Sequence, residues 1–189
     1  MECDSAGNYV DSLTLPSRLG SETREIAFGP DNLLYVTMVN GPGFVAYALD
    51  STGAVQQKIP LSVYVAGNLS FGKIAVVNRY IYVAGQDDLI RFQLGQPHSG
   101  QSIYTNNQVF DVKPLPNGNL FVASAYAIDE IRRSGTIVRH IVLSGGPSFA
   151  DVRGIEYDPA SDKLFVTELG YTGFSDQLMR INASTSSSS

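Results

Sequence analysis

Hydrophobic residues in this chain come in short bursts, separated by clusters of Gly, Pro, Asn and Asp. Four bursts resemble one another: LYVT from Leu34 to Thr37, IYVA from Ile81 to Ala84, LFVA from Leu120 to Ala123 and LFVT from Leu164 to Thr167. They begin 47, 39 and 44 residues apart. Each is rich in β-branched or aromatic residues at alternating positions, the mark of a strand. A turn precedes three of them: Gly29-Pro30-Asp31-Asn32, Pro116-Asn117-Gly118-Asn119 and Asp158-Pro159-Ala160-Ser161. Asn-Gly is a strong hairpin signal because both residues tolerate positive φ. The second unit turns on Asn78-Arg79, the weakest match.

Further apolar segments flank each burst. Upstream lie EIAFG from Glu25, GKIAVV from Gly72, FDVKPL from Phe110 and GIEYD from Gly154. Downstream lie FVAYALD from Phe44, LIRFQL from Leu89, DEIRRS from Asp129 and QLMRIN from Gln177. Three units add a fourth segment after a Gly turn: GAVQQKIPL from Gly53, GQSIYT from Gly100 and GTIVRHIVL from Gly135. No apolar period of 3.6 residues persists long enough for a long helix. Four antiparallel strands repeated about every 40–45 residues predict an all-β fold, a β-propeller of about four four-stranded blades. The blades span about 21–61, 68–105, 108–144 and 151–182. Tyr35, Tyr82, Phe121 and Phe165 share one repeat position and are expected to pack between blades.

The units, above all PNGNLFVASAYAIDEIRRSGTIV, resemble propeller repeats of the NHL and YVTN type, a superfamily that includes gluconolactonase-like proteins. The resemblance runs from about Asp4 to Asn182. It is specific for architecture and nearly silent on activity, since such folds host unrelated functions.

The last unit has no fourth strand of its own. The opening DSAGNYVDSLTLPS matches the fourth segments DSTGAVQQKIPL and RSGTIVRHIVL. Strand 8–16 is therefore expected to close the last blade, with Tyr9 to Leu15 beside Gln177 to Asn182. The alternative is a fragment of a larger ring, completed by further blades or by another chain.

Charge narrows the partners. The chain of 189 residues has 13 Lys and Arg against 18 Asp and Glu, a net charge of −5. That balance disfavours nucleic acid, which needs a basic face. No apolar run is long enough for direct membrane insertion. The single cysteine, Cys3, excludes an internal disulfide and a C-x-x-C site. Few residues are charged, two sequons occur at Asn68 and Asn182, and residues 183–189 form a Ser-rich linker or tail. These features together predict an extracellular or cell-surface glycoprotein setting within a longer chain.

Candidate chemistry lies on the strand-two-to-three loops and the blade starts, which surround one mouth of a propeller. Expected binding residues are Asn40, Asp87, Tyr126, Glu168, Tyr171 and Phe174. The loop ELGYTGFSD, with Tyr171 and Phe174 beside glycines, suits recognition of protein or glycan. His98, in a GQPHSG turn, and His140, in an outer strand, are expected away from the axis, which leaves no axial histidine as a base. No cofactor is expected. The resemblance to gluconolactonase-like proteins implies the alternative, a gluconolactonase-like or lyase-type enzyme with an axial divalent cation such as Ca2+. Glu25, Asp111 and Asp151 are then the metal candidates. Gluconolactonase-like proteins carry Glu-Gly-Pro where this chain has Glu25-Ile26-Ala27, so the match is partial. Arg24 and Arg153 are expected to stitch neighbouring blades. The leading expectation is a non-catalytic module: a scaffold for structure, self-association or recognition.

Overall fold

A computed structural model describes residues 2–3, 5, 9–11, 22–40, 43–61, 73–85, 87–106, 108–125, 127–142, 151–169 and 177–183. Its elements are strands joined by turns. β1 (Glu2–Cys3) and β2 (Tyr9–Asp11) form a small hairpin. Blade 1 holds β3 (Glu22–Phe28), β4 (Leu34–Asn40), β5 (Gly43–Leu49) and β6 (Val55–Pro60). Blade 2 holds β7 (Ile74–Val77), β8 (Tyr80–Ala84), β9 (Asp88–Gln93) and β10 (Gln96–Thr105). Blade 3 holds β11 (Val109–Pro114), β12 (Leu120–Ser124), β13 (Ala127–Ile131) and β14 (Ile137–Val142). Blade 4 holds β15 (Asp151–Asp158), β16 (Lys163–Leu169) and β17 (Gln177–Asn182). The four antiparallel sheets are arranged as a four-bladed β-propeller. The first strands β3, β7, β11 and β15 contact one another in series and line the axis.

The turns explain the hairpins. Asn32, Asn78 and Asp162 adopt positive φ, as do Gly53, Gly95, Gly118 and Gly135. Short side chains also cap the turns. Asp50 Oδ1 accepts the N–H of Thr52 at 2.9 Å, Asn117 Oδ1 that of Asn119 at 2.9 Å, and Asp158 Oδ1 that of Ala160 at 3.0 Å.

Packing follows the period of two. Tyr35, Ala46, Ala48 and Ile59 meet Ile74, Val76, Ile81, Val83, Ile90 and Phe92 of blade 2. Tyr82, Ala84 and Leu89 meet Val112, Leu120 and Val122 of blade 3. Phe121, Ala123 and Ile128 meet Ile155, Leu164 and Val166 of blade 4. The repeat aromatics Tyr35, Tyr82 and Phe121 are thus buried, each against the following blade. Phe165, at the same position in blade 4, is only half-buried. Val36, Met38, Val45, Tyr47 and Leu49 form a fourth cluster within blade 1.

Three expectations need correction. Tyr9–Asp11 pairs with Glu2–Cys3, and among the described residues β17 pairs only with β16. The closing strand is therefore not formed by Tyr9–Asp11; residues 12–20 lie outside the described residues. His98 stands within β10, not in a turn, because the chain reverses earlier, at Leu94-Gly95 with Gly95 at φ 82°. Ala183, placed with the tail by its sequence, is buried in the cluster between blades 3 and 4.

Blades are also tied by polar groups away from the axis. Tyr104 of blade 2 donates to Oδ2 of Asp129 in blade 3, and Asn106 Nδ2 donates to the Tyr104 hydroxyl at 2.9 Å. His140 Nδ1 meets Asp129 Oδ1 at 2.5 Å. Asp129 is 2% exposed, so its charge depends on these partners. Burial first, and then the Asp129 contact, push the Tyr104 pKa up to about 12.

Two substitutions separate backbone strain from contact. A Cβ on Gly135, at φ +94°, would lie 1.6 Å from the Ile103 carbonyl oxygen of blade 2. Gly95 has a similar φ, +82°, but open space around it. Gly135→Ala is expected to cost about 3–4 kcal/mol, and Gly95→Ala about 1–2 kcal/mol. Equal losses in urea unfolding would show that the Ile103 contact does not matter. Tyr104→Phe is expected to cost about 1–3 kcal/mol, because buried Asp129 loses a donor; thermal unfolding measures it.

Candidate functional site

The axial strands carry a ring of charges at one level of the fold. The fourth residue of each repeated motif faces a residue on its blade's first strand. Thr37 faces Glu25, Ala123 faces Asp111 and Thr167 faces Gly154. Ala84 donates its N–H to the Lys73 carbonyl at 2.9 Å, which places Lys73 at the same step of blade 2. Beside this step blades 1, 3 and 4 each have a register shift, between Thr23 and Glu25, Val109 and Asp111, and Val152 and Gly154. These irregularities turn the strand and re-aim its side chains. The ring therefore reads acid, base, acid and glycine over blades 1 to 4.

The charges are paired across blades. Lys73 Nζ forms an ion pair with Glu25 Oε2, and their side chains are 35% and 16% exposed. Asp111 is buried; its Oδ1 accepts the N–H of Val112 at 2.8 Å, and its Oδ2 that of Ile155 in blade 4 at 3.0 Å. A Cβ on Gly154 would lie 3.8 Å from Asp111 Oδ2, so the carboxylate arrives directly beside the bare backbone. One level along, Lys113 Nζ reaches Glu156 Oε2 at 3.2 Å. Burial raises the Asp111 pKa, outweighing Lys113, the two N–H donors and Lys73. For Lys113, burial opposes the charged form, but Asp111 and Glu156 more than offset it and the pKa is raised.

A divalent cation of the calcium type wants six to eight oxygens converging on one point. The described residues do not fit it. Glu25 is engaged by Lys73, and both Asp111 oxygens accept backbone N–H groups. Among the described residues, no three His, Cys, Asp or Glu side chains stand together as a metal would need. Asp151 begins β15, paired with Leu169; its side chain lies outside the described residues.

The other expected residues are dispersed. Asn40 and Glu168 stand in β4 and β16 at the mouth, opposite Gly43 and Gln177. Asp87 is exposed, and its carbonyl accepts the Asn106 N–H at 3.0 Å. Tyr126, Tyr171, Phe174 and Asn68 lie outside the described residues. Asn182 ends β17, exposed, and accepts a hydrogen bond from Lys163 Nζ. Arg24 pairs with Glu22 on its own strand at 3.0 Å, not with a neighbouring blade. Arg153 does stitch blades: its guanidinium lies 4.4 Å from the Phe110 ring centroid. His140 is on the outer strand of blade 3, held by Asp129.

Lys73 and Lys113 were not singled out by the sequence reading. A usable signal exists, because Lys73 stands at the same repeat position as Glu25 and Asp111. Reading charge by repeat position would have exposed the alternation.

A second concave region lies between blades 3 and 4, a cleft of about 610 Å3. Phe121, Val138 and Tyr157 give it an apolar wall. Arg139 crosses it, donating to Glu130 Oε2 at 2.9 Å and to the Ala183 carbonyl. Asn117 and Asn119 donate to Glu130 Oε1 at 3.2 and 2.7 Å. Glu130 is thus met by Arg139, Asn117 and Asn119, while Arg139 Nε is buried without a hydrogen-bond partner.

Lys113 provides a pH test of the axial ring. Its folded-state pKa is raised, so its stabilising contribution is complete below the ordinary lysine range and is lost as pH climbs through the raised value. Wild-type protein is expected to lose stability over that alkaline interval in urea titrations. Lys113→Met should show a smaller loss; an identical slope would remove Lys113 from the ring.

No protein-family model matches the chain, and neither does any curated protein. Solved structures do. A protein of unknown function from Bacteroides caccae matches at 17% identity and a TM-score of 0.65, over 86% of this chain and 64% of that one. A gluconolactonase from Xanthomonas campestris matches at 14% identity and a TM-score of 0.65, over 88% and 61%. The extracellular domain of a protein assigned as a one-component system in B. thetaiotaomicron matches at 16% identity and a TM-score of 0.60, over 88% and 21%. The chain thus spans under two thirds of the length of these structures. At such identities the likeness is one of fold, and the fold is a propeller like that of gluconolactonase-like proteins.

Proposed function

We propose that this chain is a non-catalytic propeller module of an extracellular or cell-surface protein, a scaffold for recognition of protein or glycan or for self-association. The observation that carries this reading is the state of the axial carboxylates. Glu25 and Asp111, the best-placed acids, are engaged in holding blades together. An acid bound in that way is not available as a base or a ligand without loosening the fold. The mouth above the ring is left to its loops, where a rigid scaffold usually carries recognition. Likeness of fold to the extracellular domain of a one-component system supports the setting, as do the sequons at Asn68 and Asn182. We assign the binding surface to Tyr171 and Phe174, with Glu168, Asn40, Asp87 and Tyr126 as further candidates.

Two measurements test the reading. Incubated with glucono-δ-lactone and millimolar calcium, the protein is expected to leave hydrolysis at the buffer rate; a tenfold acceleration lost on heat denaturation would make it an enzyme. On an array of immobilised glycans and peptides, saturable binding is expected, reduced at least tenfold in Tyr171→Ala/Phe174→Ala. Binding that ignores both substitutions would move the surface elsewhere.

A further inference from the structure

We infer that the Lys73 ammonium is the axial cation of this propeller: a side chain of blade 2 holds the place between the acids of blades 1 and 3 that a divalent metal would otherwise fill. The inference rests on the non-catalytic reading and explains it. Glu25, Lys73 and Asp111 stand at one step of three successive inner strands, so the register puts the lysine on the strand between two acids. The ion pair with Glu25 fixes its near side. On the far side Asp111 is buried, and Lys73 is among the charges that favour its ionised form.

The arrangement has a clear electrostatic sense. Three inner strands meeting at an axis bring their acids together, and two like charges there would raise each other's energy. A calcium ion solves that problem with two positive charges and demands a shell of oxygens. An ammonium solves it with one charge and three donors, and needs no further ligands. Lys113 repeats the solution one level along, where it meets Glu156. Two ammonium groups then offset two of the three acids without any ion from solution. A mouth of this kind has no vacant Lewis acid to polarise a substrate.

The experiment uses the intact chain with calcium, manganese and zinc chlorides as probes. Calorimetric titration of wild-type protein is expected to show no saturable binding, and its melting temperature should not move with calcium. Lys73→Ser removes the ammonium and leaves room. It should melt roughly 4–8 °C lower, and millimolar calcium should restore at least half of that loss. Lys73→Arg keeps the charge and should stay insensitive to calcium. Saturable stoichiometric binding by the wild type, or no calcium response in Lys73→Ser, would overturn the inference.

If Lys73→Ser does not fold, the wild type still decides. Lys73 should react with an amine-acylating reagent at least tenfold more slowly than exposed Lys58, whether calcium is present or not. Equal reactivity, or acceleration by calcium, means that the ammonium does not hold the site. Lactone hydrolysis would sink the functional reading alone, whereas these outcomes concern the cation alone.

Discussion

A strand covered on both faces cannot keep a charge unless another group answers it. The propeller creates this situation wherever an inner strand is packed between neighbouring blades, as β7 and β11 are, whereas β3 stays largely exposed. Desolvating a carboxylate costs several kcal/mol, and only a well-placed partner offsets that. Each buried acid here meets the condition in its own way. Glu25 has an ammonium, Asp111 has two backbone N–H groups, and Asp129 has a phenol and an imidazole. Glu130 has two amides and a guanidinium. Several of these partners belong to a neighbouring blade.

The consequence is that polar groups fix the rotation between blades while the apolar clusters supply most of the attraction. Sheets packed only through Val, Ile and Ala could slide by a residue with little penalty, since such surfaces are nearly uniform. An Asp111 that must reach the Ile155 N–H cannot slide. Neither can Tyr104, which must meet Asp129. The same groups are thereby withdrawn from chemistry. A side chain whose displacement opens a blade interface is a poor general base, and the proposed scaffold role rests on that.

The sequence disclosed whatever depends on local rules. Period-two alternation gave the strands, and Asn or Gly at turns gave the hairpins, because positive φ is a property of single residues. The aromatic position also declared itself, since Tyr35, Tyr82 and Phe121 are repeated by the fold's own geometry. Pairings between distant segments were less legible. The opening segment looks like an outer strand, yet Tyr9–Asp11 pairs with Glu2–Cys3. A strand pattern says that a segment will pair, not with which edge. The Glu25–Lys73 contact spans two blades and shows only when charges at equivalent repeat positions are compared. Arg24 shows the converse: an expected cross-blade partner found its acid two residues away, at Glu22.

Gly154 marks where the alternation stops. Blades 1 to 3 each place a charged residue at the ring, and blade 4 places none. A Cβ there would come within 2.9 Å of Thr167 Oγ1 on the neighbouring strand. A side chain at this step would also intrude beside the Asp111 carboxylate, whose bond to the Ile155 N–H joins blades 3 and 4. Glycine thus lets a buried acid find its donor in the backbone itself. That explains why Asp111, the second acid of the ring, needs no ammonium of its own at that level.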